Sequence, residues 1–390
     1  MFKGARTPIL NTLLLLTGAF GWMTFTILFR HSWGQDWMVF DTAARAYLRG
    51  DSALLLDGVK LTQVLNATHP THTVPLKFRP WVYPPYTILL ALPFGIGPWA
   101  WSYGGFMALS FTAMAAALRP WANSTRNFIL ILAGVLLCPA SAYNIFAGQN
   151  GFLSAALLLA GIWQLEKRPY LAGALLALLT FKPQLTLLLP IALLAAGAWR
   201  AIAASCITFV LMLLISLVVP GIEIWRGFLQ LYLTPGDAPR QWVELYGQSI
   251  YTYLHLAGAS PSLANAGQAV GVLIGAACVW RVFRASSSPI HRLLVLLSAI
   301  CFSAPHFGDY DAVLVAIVAM LALLPGITPI RPTATILACI AWCSTAINPP
   351  YLFHETIRAL FPAAEFTPIL LLALLLTLTF NHPTLKSPPT

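Results

Sequence analysis

YLAGALLALLTFKPQLTLLLPIALLAAGAWRAIAASCITFVLMLLISLVVP, residues 170–220, holds only two charged side chains, Lys182 and Arg200. A bilayer core takes roughly 20 apolar residues per helix. A stretch this long and this apolar therefore reads as consecutive membrane helices, interrupted at Lys182-Pro183 and again near Arg200. The rest of the chain has the same character. Its 390 residues are 58% hydrophobic and 9% charged, whereas soluble proteins carry about 25% charged residues. The class that follows is a polytopic, all-α membrane protein. No polar stretch is long enough to bury a core of its own, so residues 1–390 read as one integral membrane domain.

Spans are expected at 8–29, 100–118, 127–145, 151–165, 170–181, 184–198, 201–220, 262–284, 290–304, 311–325, 332–347 and 366–382, about twelve transmembrane helices. The N-terminal run Ile9–Leu28 is longer than a signal-peptide core and has no small-residue cleavage site after it. It reads as a retained first span. Residues 85–97, PYTILLALPFGIG, are apolar but short and carry Pro93, Gly95 and Gly97. They read as a re-entrant or interfacial helix pair. With Met1 on the cytoplasmic side, one set of loops is short and basic (Arg119, Arg126, Lys167, Arg168, Arg200, Arg284, Arg292), as the positive-inside rule expects. Of the acidic residues, only Glu166 falls there. Asp36, Asp41, Asp51, Asp57, Glu223, Asp237, Glu244, Asp309, Asp311, Glu355 and Glu365 all fall on the other side. The acidic face is therefore expected on the side away from the cytoplasm.

The net charge of +10 does not point to nucleic acid. The basic residues are scattered singly at helix ends, with no aromatic platform between them, and suit contact with anionic membrane lipids. The six cysteines lie in apolar runs without metal-ligand or disulfide spacing and read as small hydrophobes. No P-loop, GxSxG or HExxH motif is present. No cofactor, metal or obligate protein partner is expected.

Two outer regions stand out. The first, residues 30–84, opens with a helical pattern over Asp36–Leu48, with Trp37, Phe40, Ala44 and Tyr47 on one stripe. This suggests a helix lying in the membrane interface. The second, residues 221–258, carries Trp225, Phe228, Tyr232, Trp242, Tyr246, Tyr251 and Tyr253, an aromatic belt.

Five short motifs fall in or beside these loops. Asp36-Trp-Met-Val-Phe-Asp41 puts a carboxylate at an apolar helix end, where it suits a general base or an N-cap. Lys77-Phe-Arg79-Pro-Trp-Val-Tyr83-Pro-Pro sets two cations among aromatics, suited to a phosphate or to lipid headgroups. Gly148-Gln149-Asn150-Gly151 offers amides and open backbone at a helix start, for a sugar, a phosphate or simply a turn. Lys182, between two apolar runs, is an ionisable group where such groups are costly. Ser303-Ala-Pro-His306-Phe-Gly-Asp309-Tyr-Asp311 gathers one imidazole and two carboxylates, with Gln248 and Ser249 as possible neighbours. With a single nitrogen ligand it fits a polyol better than a metal.

Taken together, these motifs resemble glycosyltransferase family 87, once catalogued as DUF2029. The family pattern of an acid, a hydrophobic, Val-Tyr, Ala-Ala and Gly reads here as Asp36, Val39-Phe40, Ala43-Ala44 and Gly50, with Phe40 replacing the usual tyrosine. Tyr83-Pro84-Pro85, Gly148-Gln149-Asn150-Gly151, Lys182-Pro183-Gln184, Gln248-Ser249 and Tyr310-Asp311 follow in family order. The resemblance implies a GT-C fold and hexose transfer, with mannose favoured, from a polyprenyl-phosphate donor to a lipid or glycan acceptor at the periplasmic face. It also implies that Asp36 is the catalytic base of an inverting reaction. Asp41, Lys77, Arg79, Tyr83, Gln149, Asn150, Lys182, Gln248, His306, Asp309 and Asp311 are then candidates for holding donor and acceptor. A flippase for lipid-linked sugars is the alternative. It would need ionisable groups through the membrane depth rather than at one face.

Overall fold

A computed structural model describes residues 6–31, 33–69, 75–76, 78–233, 247–324, 331–346 and 367–380. Lys77, Asp237, Trp242, Glu244, Tyr246, Glu355 and Glu365 lie outside the described residues. Among those described, every regular element is helical. The α-helices are α1 (Arg6–Leu28), α2 (Trp37–Leu48), α3 (Gly58–Thr68), α4 (Ile88–Gly95), α5 (Phe106–Leu118), α6 (Thr125–Leu137) and α7 (Pro139–Ala147). They continue with α8 (Gly151–Gln164), α9 (Pro169–Leu178), α10 (Pro183–Thr186), α11 (Leu189–Ala195), α12 (Trp199–Ser216) and α13 (Ile222–Leu233). The last are α14 (Ile250–Leu256), α15 (Pro261–Ala285), α16 (Pro289–Ser303), α17 (Val313–Leu323), α18 (Pro332–Ser344) and α19 (Thr367–Phe380).

Among the described residues, three helices are long and apolar enough to cross a membrane: Asn11–Leu28, Trp199–Gln230 and Pro261–Ala285. The other apolar helices run 10–17 residues. Two of the expected spans are broken, each at a proline. The stretch expected as one span at 127–145 bends by 63° between α6 and α7, because Pro139 follows Cys138, which is held extended (ψ 134°). The run 184–198 divides into the single turn α10 and the short α11, with Pro190 at the start of the latter.

The central core is formed by α8, α16 and α17. Leu293–Leu297 and Val313–Ile317 are buried on every face of their helices. Burial on all sides explains why these segments show no amphipathic pattern. A second core covers one end of the bundle. Trp37 stacks on Phe106 at 3.7 Å and on Phe40 at 5.0 Å, and its Nε1 donates to Ser102 Oγ. This corrects the reading of α2 as an interfacial helix: Trp37 through Ala44 are buried without a break, enclosed by α3, α4 and the start of α5.

The loops sort to two ends of the bundle. At one end Arg292 pairs with Glu166 at 2.9 Å, Lys167 sits over Trp163, and Trp121 packs on Trp163. At the other end the segment after α1 binds the end of α7: Gly34 N donates to Phe146 O at 2.7 Å and Asp36 N to Ala147 O at 2.8 Å. Gln248 N donates to Phe307 O there as well. Of the carboxylates expected on one face and described here, Asp36, Asp309 and Asp311 meet at this second end.

Candidate active site

Asp36 is placed by backbone. The two hydrogen bonds to Phe146 and Ala147 strap its loop to the corner between α7 and α8. That corner turns on Gly148, which closes α7 in the left-handed conformation (φ +76°). Its missing Cβ also leaves room for Gly34 and Trp37, which a side chain would meet at under 3 Å. Asn144 Oδ1 accepts from Gly151 N at 2.7 Å and so caps α8. A Cβ on Gly151 would lie 2.3 Å from the Tyr310 carbonyl oxygen, so the Gly148–Gly151 turn is seated directly on the Gly308–Asp311 turn.

Asp36 stands at the N-cap position of α2, but its backbone is helical and its side chain does not cap the helix. Its Oδ2 instead accepts from Gln149 Nε2 at 2.9 Å, and its Oδ1 lies 3.6 Å from Arg79 Nε. Burial raises the Asp36 pKa above the usual carboxylate value, against the opposing pull of Arg79, the Gln149 hydrogen bond and Lys182.

Lys182 follows from Pro183, which disfavours helix at the preceding residue and leaves Lys182 in an open conformation (φ −119°, ψ 79°) between α9 and α10. Its side chain is 1% exposed. Nζ donates to Asp311 Oδ1 at 2.6 Å and rests 4.3 Å above the Tyr310 ring. Asp309 accepts a hydrogen bond from Gln248 Nε2. His306 shares the same turn. Burial lowers its pKa, favouring the neutral ring, with Asp311 pulling the other way and Lys182 adding to the fall. Its Nδ1 has no hydrogen-bond partner among the described residues.

Asp36, Arg79, Tyr83, Gln149, Lys182, His306 and Asp309 all line one cavity of about 650 Å3, within the size range of small-molecule sites. The first-loop acid, the amine at the α9–α10 break and the imidazole-bearing turn thus converge on a single cleft. Its remaining walls are mainly apolar: Val39, Phe40, Phe78, Pro84, Phe181, Leu187 and Phe228. Tyr310 of the Tyr310-Asp311 motif and Phe228 of the expected aromatic belt line it as well. So does Tyr143, which lies within an apolar run and carries no motif signal.

Four expected site residues sit differently. Asp41 does not line the cavity. It is 1% exposed and accepts from Arg45 Nε and Nη2 (2.8 and 3.0 Å) and from His69 Nε2 (3.0 Å), fastening α2 to α3; Arg45 also donates to Gly97 O. Asp311 lies behind the cavity wall as the counter-ion of Lys182. Gln248 reaches the site only through Asp309. Asn150 sits one step back, donating to the Tyr83 hydroxyl at 3.5 Å.

The family model for glycosyltransferase family 87 matches residues 81–305, more than half of the chain. The chain belongs to glycosyltransferase family 87. The matched stretch holds Tyr83, Gln149, Asn150, Lys182 and Gln248. Asp36 precedes it, and the turn with His306, Asp309 and Asp311 follows it directly. No curated protein and no solved structure matches the chain. For this glycosyltransferase, membership supports transfer of a sugar from a donor to an acceptor, and the apolar helices suit a membrane protein.

Proposed function

We propose that the chain transfers a hexose, with mannose favoured, from a polyprenyl-phosphate donor to a lipid or glycan acceptor, with inversion and with Asp36 as the base. The helices form a GT-C-like bundle of about twelve membrane passages, the shorter ones tilted or set in a thinned bilayer. The cavity opens at the periplasmic face of the inner membrane. The acceptor hydroxyl gives its proton to Asp36 as its oxygen bonds to the anomeric carbon. The anomeric carbon–phosphate oxygen bond breaks, and polyprenyl phosphate leaves with the electron pair. Arg79 and Lys182 balance the phosphate charge that develops, and Lys77 is a third candidate. The apolar wall takes the first isoprene units. His306, Asp309 and Tyr83 hold sugar hydroxyls, Asn150 supports Tyr83, Gln248 orients Asp309, and Asp311 holds Lys182 charged.

One observation carries this reading: a single partly exposed carboxylate with a raised pKa shares a 650 Å3 cleft with two cations and an apolar wall. An inverting transfer from a lipid phosphate needs those elements and little else. The test is purified protein supplied with polyprenyl-phosphate mannose and a lipid extract of the host. Wild type releases polyprenyl phosphate and labels an acceptor. Asp36→Asn folds, binds donor and loses ~10²–10⁴-fold in turnover. Full turnover by Asp36→Asn removes the base from Asp36.

A further inference from the structure

Asp36 is fastened to the α7–α8 corner at three points. Two are main-chain bonds, from Gly34 N to Phe146 O and from Asp36 N to Ala147 O. They place the backbone but leave the carboxylate free to turn, because the last torsion of an aspartate joins an sp3 to an sp2 carbon and has broad wells. Capping would hold the group, yet the Asp36 side chain makes no cap bond to α2. Arg79 Nε stands 3.6 Å from Oδ1, beyond ordinary hydrogen-bond length, and acts there as a charge. The third point is Gln149, whose Nε2 donates to Asp36 Oδ2 at 2.9 Å.

Gln149 is itself held. Its N donates to Asn144 O at 2.8 Å, Gly148 before it sits at φ +76°, and Asn144 Oδ1 accepts from Gly151 N just beyond it. The residue is 6% exposed, and its Oε1 is buried. The amide therefore serves Asp36 rather than the open cleft. Such support matters to a general base, which must stand within hydrogen-bond reach of the proton it takes. A misplacement of about 1 Å can cost about 10²-fold in rate.

We propose that Gln149 is a positioning residue for the base: its amide pins Asp36 Oδ2 and so fixes the plane of the carboxylate that takes the acceptor proton, while Gln149 itself binds neither donor nor acceptor. The inference rests on the reading of Asp36 as base.

The test has two arms. In the first, Gln149→Met keeps the length of the side chain but has no donor. With polyprenyl-phosphate mannose and host lipid extract its kcat falls about 10²-fold, and the KM values for donor and extract stay within twofold of wild type. In the second arm Asp36 is read without turnover. A hydrophobic carbodiimide labels protonated carboxyl groups, and labelling of Asp36 is followed against pH by peptide mass spectrometry. Arg79 and Lys182, the charges that act on Asp36, stay in place. Losing a hydrogen bond to the ionised form moves the Gln149→Met midpoint about one pH unit higher. Gln149→Glu sets a second carboxylate beside Asp36 and moves it in the same direction and further. A tenfold rise in either KM with kcat unchanged makes Gln149 a substrate ligand and overturns the proposal. So does a labelling midpoint that stays at the wild-type value in both variants. If wild type transfers nothing, the transferase reading fails in the first arm, and the second arm still decides whether Gln149 holds Asp36.

Discussion

Replacing Lys182 by methionine separates what this side chain does for the fold from what it does for chemistry. The ammonium lies 2.6 Å from Asp311 Oδ1, with side chains 1% and 0% exposed. At an effective dielectric of about 20, the pair attracts by about 6 kcal/mol. Desolvation of both ions offsets much of this, so the pair as a whole adds little to stability, whereas removing one member strands the other at a cost of ~3–5 kcal/mol. Lys182→Met strands a carboxylate, and Asp311→Asn strands an ammonium. The double variant strands neither. A double-mutant cycle, followed by unfolding in detergent micelles, is therefore expected to give single losses near 3–5 kcal/mol each and a double loss at least 2 kcal/mol smaller than their sum. Turnover separates the two roles. If Lys182 only holds the fold, the double variant recovers activity along with stability. If it also neutralises the donor phosphate, the double variant is folded and inactive. Additive single losses, with coupling below ~1 kcal/mol, would refute the ion-pair reasoning. A stable, active double variant would refute the phosphate role of Lys182.

Because Asp36 must be ionised to act as base and its pKa is raised by burial, turnover is expected to fall on the acid side, through a midpoint above the ordinary aspartate value. Arg79→Met removes a charge that opposes the rise and moves this limb to higher pH, as a pH–rate profile will show. Asp41→Asn is expected to cost about 3 kcal/mol, read as a fall in unfolding midpoint, because it breaks a buried carboxylate away from His69 and Arg45. In wild type, burial raises the Asp41 pKa, but the hydrogen bonds from His69 and Arg45 outweigh it and leave the value lowered. The stability this residue contributes is thus present above the unfolded carboxylate pKa and lost as pH falls through the lower, folded one. Unfolding midpoints measured down the acid range check the sign. Gly151→Ala places a methyl 2.3 Å from the Tyr310 carbonyl oxygen. It is expected to cost ~1–3 kcal/mol and to lower turnover, since the two turns that carry Gln149 and Asp309 must part.

Much of this architecture is written in local pattern. The start of α15 follows from residue types: Ser260 caps it by accepting from Leu263 N, with Pro261 in the first helical position. The break at Lys182 is legible from Pro183. The bend at Cys138 has the same local cause in Pro139, but the apolar run continues through it and masks the break. Asp41 could have been set aside from helical geometry alone. Five residues past Asp36 is about 140° around a helix, so the two acids cannot share a face. What no local pattern reveals is pairing across the chain. His69 lies 28 positions from Asp41 and Asp311 lies 129 positions from Lys182. Asn144 looks like an ordinary polar residue in an apolar helix until Gly151 N is seen to rest on it. A carboxylate destined for a substrate and one destined for a lysine look the same in a sequence.

The pair of main-chain bonds from Gly34 and Asp36 to the last carbonyls of α7 has an evolutionary consequence. Between Gly34 and Asp36 the chain has no slack, so deleting or adding one residue there would slip the acid past its amide neighbour. Homologues should keep that spacing fixed while letting the polypeptide beyond α3 lengthen or shrink. Natural length variation in the first outer segment should therefore begin only after His69.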